Sequence, residues 1–150
     1  MPRQRRLYQP IYLLLGLALI VLLHLLLPID ELVPRSLKGL GAVLFILGAA
    51  PAILVNQRFS QAGTTIVPLE VSKALMTDGF FRFSRNPIYL GLAVSLLGAA
   101  LFLGSLSPFV VPPLFVWIIQ SQFIVHEERI LEDTFGEEYR AYKAKVRRWL

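Results

Sequence analysis

Of 150 residues, 55% are hydrophobic and only 17% charged, with a mean hydropathy of +0.61. A soluble domain carries roughly 25% charged residues, so an ordinary cytosolic enzyme and a disordered tail are both excluded, and the lack of cysteine excludes disulfides, thiolate metal sites and cysteine nucleophiles. The net charge of +5 comes from 15 Lys/Arg against 10 Asp/Glu, and its placement reads as membrane topology, not as a nucleic-acid footprint.

In chain order, Leu7 to Ile29 and Gly39 to Gln57 carry no formal charge, and Asn86 to Val125 runs 40 residues without one. A spanning helix takes about 20 apolar residues, so the first two runs predict one span each and the third predicts two. Gly104-Ser105-Leu106-Ser107-Pro108 sits at the midpoint of the third run and supplies the chemistry of a tight hairpin. The expectation is an all-α, polytopic membrane helix bundle with four spans near 8–28, 37–56, 87–105 and 108–126. The basic segment Met1 to Arg6 resembles the start of a signal peptide. The apolar run behind it is too long for one, and no small-residue cleavage site follows Leu27, so it reads as a retained anchor. His24, mid-span, is given no role. Gly41 and Gly48-Ala49-Ala50 on the second span, with Gly91, Ser95 and Gly98/Ala99 on the third, mark close helix contacts. Pro51, Pro112 and Pro113 predict kinks in their spans.

Lysine and arginine set the orientation. Thirteen of them fall on the side of the two termini, while Arg35 and Lys38 alone fall on the other. This predicts a multi-pass protein of the cell (inner) membrane with both termini cytoplasmic. Two cytoplasmic segments are more than connectors. Arg58 to Arg85 is too long for a minimal turn and too apolar and aromatic for disorder. In the tail from His126, Leu131, Phe135, Tyr139, Tyr142, Val146 and Trp149 recur every three or four residues. They form one face of an amphipathic C-terminal helix, with Gly136 as a weak point. That helix either lies on the bilayer or packs as a lid over the loop.

Arg85-Asn86-Pro87-Ile88-Tyr89 opens the third span. Asn is a preferred N-cap and Pro a preferred first helical residue, and a helix N-terminus also suits an anion. Gln120, Gln122, His126, Glu127 and Glu128 gather at the inner end of the fourth span. Glu127 and Glu128 lie about 100° apart on a helix, so only one is expected to face the bundle. No ligand recurs three or four residues from His126 on its face, so no metal site is read. No GxGxxG, P-loop or GxSxG occurs.

Together, these segments resemble the isoprenylcysteine carboxyl methyltransferase superfamily, which also contains phospholipid methyltransferases. The family pattern Arg-His/Asn-Pro-x-Tyr-x-Gly is matched by Arg85, Asn86, Pro87, Tyr89 and Gly91, after a loop reading Leu75-Met76-Thr77-Asp78-Gly79-Phe80-Phe81. The tail pattern is matched by Glu127, Glu128, Leu131, Phe135, Gly136, Tyr139 and Tyr142, and the resemblance covers residues 63–150. It implies one methyltransferase-like domain over 1–150, with 1–57 as a two-span anchor and 58–150 as the cofactor-binding core. The implied cofactor is S-adenosylmethionine, in a pocket built from the cytoplasmic loop, the start of the third span, the end of the fourth and the tail. Lys73, Ala74, Leu75, Met76 and Phe81 would line its adenosine part. Asn86, Pro87, Ile88 and Tyr89 would hold it at the helix start, and Glu127 would pair with its amino group. No catalytic residue is implied, because methyl transfer from a sulfonium is mainly a matter of positioning.

Phe123 stands where the eukaryotic prenylcysteine enzymes carry a substrate-binding arginine, and Asn86 stands where they have histidine. The resemblance therefore points to a lipophilic or small-molecule acceptor drawn from the membrane, and away from a prenylcysteine. The competing expectation is a non-catalytic membrane subunit whose basic amphipathic tail binds lipid or a partner protein. A small transporter is disfavoured, since no charge lies mid-membrane and no inverted repeat is visible.

Overall fold

The computed structural model describes residues 8–61 and 74–150. Every long apolar run becomes a helix, as a backbone that must satisfy its own hydrogen bonds in an apolar medium requires. The helices are α1 (Tyr8–Leu26), α2 (Arg35–Gln61), α3 (Pro87–Leu103), α4 (Val111–Ile119), α5 (Val125–Phe135) and α6 (Glu137–Lys145). Single 3-10 turns at Gly79–Arg82 and Ser107–Val110 precede α3 and α4, and a π-helical turn at Gln120–Ile124 joins α4 to α5. Among the described residues the chain is all-α.

Two stretches, Arg35–Val55 and Ser107–Phe135, are long and apolar enough to cross a membrane, while Ile11–Leu26 and Pro87–Leu103 are apolar but shorter. The outer faces carry large apolar side chains: Leu14, Leu25, Ile46 and Trp117 are 63–69% exposed. Water would penalise such a surface and lipid would not.

Helix α3 is the centre of the bundle and packs against α1, α2 and α4. Its Leu92, Leu96 and Ala100 meet Ile20 of α1 and Val111, Phe115 and Ile119 of α4 in one apolar core. Against α2 the contact is backbone on backbone. A Cβ on Gly98 would collide with the Phe45 nitrogen and the Gly41 carbonyl, and one on Gly91 would collide with the Gly48 carbonyl. Ser95 reinforces the same seam, its hydroxyl donating to the Phe45 carbonyl at 2.9 Å. The small residues singled out in the sequence are thus the α2–α3 interface.

The expected hairpin forms where α3 ends. Gly104 adopts φ 90°, a left-handed cap that closes the helix by donating to the Ala100 carbonyl. The α1–α2 connection is tied to this hairpin through the Leu32 and Val33 amides, which both donate to the Gly104 carbonyl. His24, given no role from sequence, bonds through Nδ1 to the buried Ser105 hydroxyl at 2.8 Å. All these ties lie at the end of α3 remote from Pro87.

Two local expectations change. Pro112 and Pro113 fall in the first turn of α4, directly after a 3-10 turn. There the shift in helix type accommodates their missing amides, and no mid-span kink site is created. The tail is not one amphipathic helix: Gly136 at φ 52° separates α5 from α6, and α6 ends at Lys145. Val146 and Trp149 share the apolar face in sequence, but both lie beyond α6, where Val146 is extended and Trp149 packs on the core.

Replacing Gly98 with Leu is expected to destabilise the detergent-solubilised protein by about 1–3 kcal/mol, the usual cost of overpacking. Gly39→Ala, where a Cβ would meet nothing within 4 Å, is expected to be neutral or slightly stabilising. Thermal midpoints of the two variants beside wild type check the seam. Equal midpoints would show that α2 and α3 do not pack through it.

Candidate functional site

The site is built where α3 begins and α5 begins, with residues 146–150 laid across the junction. Pro87 occupies the first turn of α3, and Asn86 holds the N-cap position with φ −130° and ψ 57°. The expected side-chain cap does not form. Instead the Asn86 amide group donates to the Arg148 carbonyl at 3.0 Å. The Ser84 hydroxyl accepts from the Asn86 backbone N–H at 3.1 Å and donates to the same Arg148 carbonyl at 3.3 Å. The Arg85 N–H donates to the Arg147 carbonyl at 3.0 Å. A stretch of backbone from the tail is therefore bonded to residues 84–86, just ahead of α3.

One turn into α3, the buried Tyr89 points its hydroxyl at α5 and donates to Glu127 Oε1 at 3.0 Å. Glu128 makes the second link. It is 7% exposed, and a carboxylate that buried must be paired. Arg148 grips it with Nε at 3.0 Å and Nη2 at 2.7 Å, a two-pronged pair. Arg85 Nη2 lies 3.2 Å from its Oε1. The expectation that only one of Glu127 and Glu128 faces the bundle is corrected. Glu127 reaches α3 directly, while Glu128 reaches its start through the long arm of Arg85. The Arg85 side chain is itself only 9% exposed, and its Nε and Nη1 have no acceptor among the described residues.

The π-helical turn at Gln120–Ile124 lies just before these carboxylates. Such turns insert an extra residue per turn and cluster at functional sites. Here the turn carries Phe123, whose ring stands edge-on to Tyr12 at 5.4 Å and tilted beside Tyr89 at 6.4 Å. It also carries Gln120, whose Oε1 accepts from the Trp149 indole at 2.8 Å. An apolar aromatic wall thus adjoins the Tyr89–Glu127 pair on the side of the core.

The other expected residues lie as follows. The Phe81 carbonyl, in the 3-10 turn before α3, accepts from the Tyr142 hydroxyl at 2.6 Å, so this part of the loop is fastened to α6. Ile88 is half-buried and packs on the core. Ala74, Leu75 and Met76 lie in an irregular stretch ahead of the 3-10 turn. Lys73 lies outside the described residues. Sequence reasoning missed Arg85, Glu128 and Arg148 as the buried ionic link. The first two stand inside the quoted motifs, but nothing local marks Arg148 as their partner.

Burial shapes the phenols of α6. Burial first, and then the negative charge of Glu128, pushes the Tyr139 hydroxyl up to about 12. Tyr142 is raised as well, chiefly by burial. At the surface, Lys143 and then Arg140 hold Glu132 below its usual carboxylate range, bridging α5 and α6 across Gly136. Exposed bridges of this kind contribute little to stability.

These features carry a family signature. A family model described as phospholipid methyltransferase matches residues 37–138, which include α3, the π-helical turn and both glutamates. The chain belongs to the phospholipid methyltransferase family. It is 34% identical over 91 residues to a protein-S-isoprenylcysteine O-methyltransferase of Schizosaccharomyces pombe, covering 57% of this chain and 39% of that one. It is 30% identical over 108 residues to a probable protein-S-isoprenylcysteine O-methyltransferase of Oryza sativa subsp. indica, covering 71% of this chain and 56% of the relative. An uncharacterized Haemophilus influenzae protein is 44% identical over 63 residues, which is 42% of this chain and the whole of that protein. The chain thus spans about half or less of the length of the methyltransferases it matches. No solved structure matches. Family and apolar helices together identify a membrane protein, and the resemblance read from the motifs holds.

The raised phenols give the site a stability signature at high pH. The unfolded chain releases the Tyr139 proton near 10, whereas the folded chain keeps it until about 12. This contribution is fully present below pH 10 and is lost as pH rises through the folded value. Thermal midpoints in detergent are expected to fall more steeply above pH 10 in wild type than in Tyr139→Phe. Identical slopes would show that the phenol is not enclosed.

Proposed function

We propose that this protein is an integral membrane methyltransferase that uses S-adenosylmethionine and methylates a lipophilic or small acceptor at the cytoplasmic face of the inner membrane. On this reading the four apolar helices all span, both termini are cytoplasmic, residues 1–57 anchor the chain and 58–150 hold the cofactor. One observation carries it: the start of α3 and the start of α5 are joined by Tyr89 and Glu127 beneath a strap of tail backbone.

The residues present fit the cofactor. Glu127 offers a carboxylate to an ammonium, and the faces of Tyr89 and Phe123 suit a sulfonium cation. The start of α3, with its orphaned Arg85 donors, favours an anion. When bound, S-adenosylmethionine would supply an electrophilic methyl group, which an acceptor takes in line as the carbon–sulfur bond breaks and S-adenosylhomocysteine leaves. The protein's own part is geometric. Tyr89 fixes the Glu127 carboxylate, the Arg148–Glu128 pair holds the strap in place, and the aromatic wall keeps water from the core side. Phe123 puts an uncharged ring beside Tyr89, which suits an acceptor without a carboxylate. An acceptor could enter sideways from lipid and the cofactor from the cytosol.

The test is calorimetric binding of S-adenosylhomocysteine to detergent-purified protein. Wild type is expected to bind in the micromolar range. Glu127→Gln, which keeps an acceptor for Tyr89 but removes the charge, is expected to weaken binding about tenfold or more, or about 1.4 kcal/mol. Well-folded wild type that binds nothing would overturn the reading and favour a non-catalytic subunit with a partner-binding tail.

A further inference from the structure

The chain ahead of α3 carries apolar surface that the site above does not use. Phe83, just after the 3-10 turn, is 73% exposed, more than Trp117 on the outer face of the bundle at 67%. Phe80, inside the turn, is exposed as well. Rings left this open are costly in water. Arg82 stands between the two, and the strap lies alongside. The Arg85 N–H donates to the Arg147 carbonyl, and the Ser84 hydroxyl donates to the Arg148 carbonyl. Arg82 and Arg147 are both exposed, and neither is in an ion pair among the described residues. This surface is separate from the apolar face of α6, whose Tyr139 and Tyr142 are buried.

Charge sets the level of this corner in a bilayer. Residues 86–125 carry none, and the two ends of that run meet here, where Tyr89 near its start bonds Glu127 just past its end. The edge of an apolar layer around the bundle therefore falls at this corner. Trp149 marks the same level from the strap: its indole reaches Gln120, more than one turn inside the uncharged run. Exposed rings beside exposed cations at that level match the region of lipid headgroups, and an anionic leaflet attracts each unpaired cation. We infer that Phe80 and Phe83 enter the edge of the bilayer while Arg82 and Arg147 hold the phosphates of anionic lipids. The inference needs α3 and α4 to stand in the bilayer, and it is independent of the cofactor reading. Anionic lipid would then clasp the pre-α3 turn to the strap from outside.

The chain contains no cysteine, so a nitroxide on one introduced cysteine reports one place. The full chain is placed in nanodiscs of phosphatidylcholine with and without phosphatidylglycerol. Access of the label to oxygen is compared with its access to a water-soluble nickel chelate. Phe83→Cys is expected to favour oxygen severalfold more than Glu138→Cys, at an exposed position of α6, and to shift further toward oxygen with phosphatidylglycerol. Adding Arg82→Gln and Arg147→Gln is expected to abolish that shift. Equal water access at 83 and 138 in both lipids would overturn the proposal and leave the corner to a soluble partner. A ratio at 83 that ignores phosphatidylglycerol, or a shift that survives both glutamines, would overturn it too. A label at Trp117→Cys that lies in water would remove the spanning reading, and this one with it, whereas water at 83 alone removes only this one. If the labelled variants do not fold, thermal midpoints of unlabelled protein decide. Phosphatidylglycerol is expected to raise wild type more than the double glutamine variant, and equal rises overturn the proposal.

Discussion

A carboxylate removed from water must be neutralised by its neighbours, and Glu128 is where this chain meets that demand. Arg148 and Arg85 converge on it from two directions, one from the tail and one from the residues just ahead of α3. Breaking such a pair leaves an uncompensated buried charge, a far larger penalty than the pair's net contribution. The consequence is positional. Once Glu128 is paired, the Arg147 and Arg148 carbonyls lie against Arg85, Ser84 and Asn86, and the approach to α3 is fixed. The order of the site follows from one buried ion cluster.

A second constraint acts on the apolar side. Helix–helix association in lipid gains nothing from hiding apolar surface, so α2 and α3 approach through glycine and serine until their backbones touch. That seam leaves the opposite face of α3 for α1 and α4, and so brings Tyr89, Phe123 and Tyr12 into one aromatic group. The two ends of α3 then differ in kind. One end is fastened by backbone bonds at Gly104 and by His24–Ser105, and the other by charge.

Much of this was legible in the sequence, and the reason is physical periodicity. Uncharged runs gave the helices, Gly104 to Pro108 gave the hairpin, and small residues at four-residue spacing gave the α2–α3 seam. Tyr89 and Glu127 stood out in two separate motifs, but the hydrogen bond between them is seen only in the structure. What was hidden depends on contacts distant in sequence. The Asn86 side chain donates to the Arg148 carbonyl across 62 positions in place of capping its own helix, and His24 finds Ser105 across 81. The tail failed for a local reason that apolar spacing cannot show: Gly136 takes a positive φ and turns one predicted helix into two with a strap behind them.

The helical stretch Ser107–Phe135 is continuous through the π-helical turn. The uncharged part of that stretch ends at Val125, and at about 1.5 Å per residue its length matches the roughly 30 Å of a hydrocarbon layer. The charged residues begin at once, with His126, Glu127 and Glu128. Trp117 on the outer face and Glu127 at the site ride on the same rod, with no loop between them. The apolar length of one helix is therefore also the ruler that sets where its carboxylates stand.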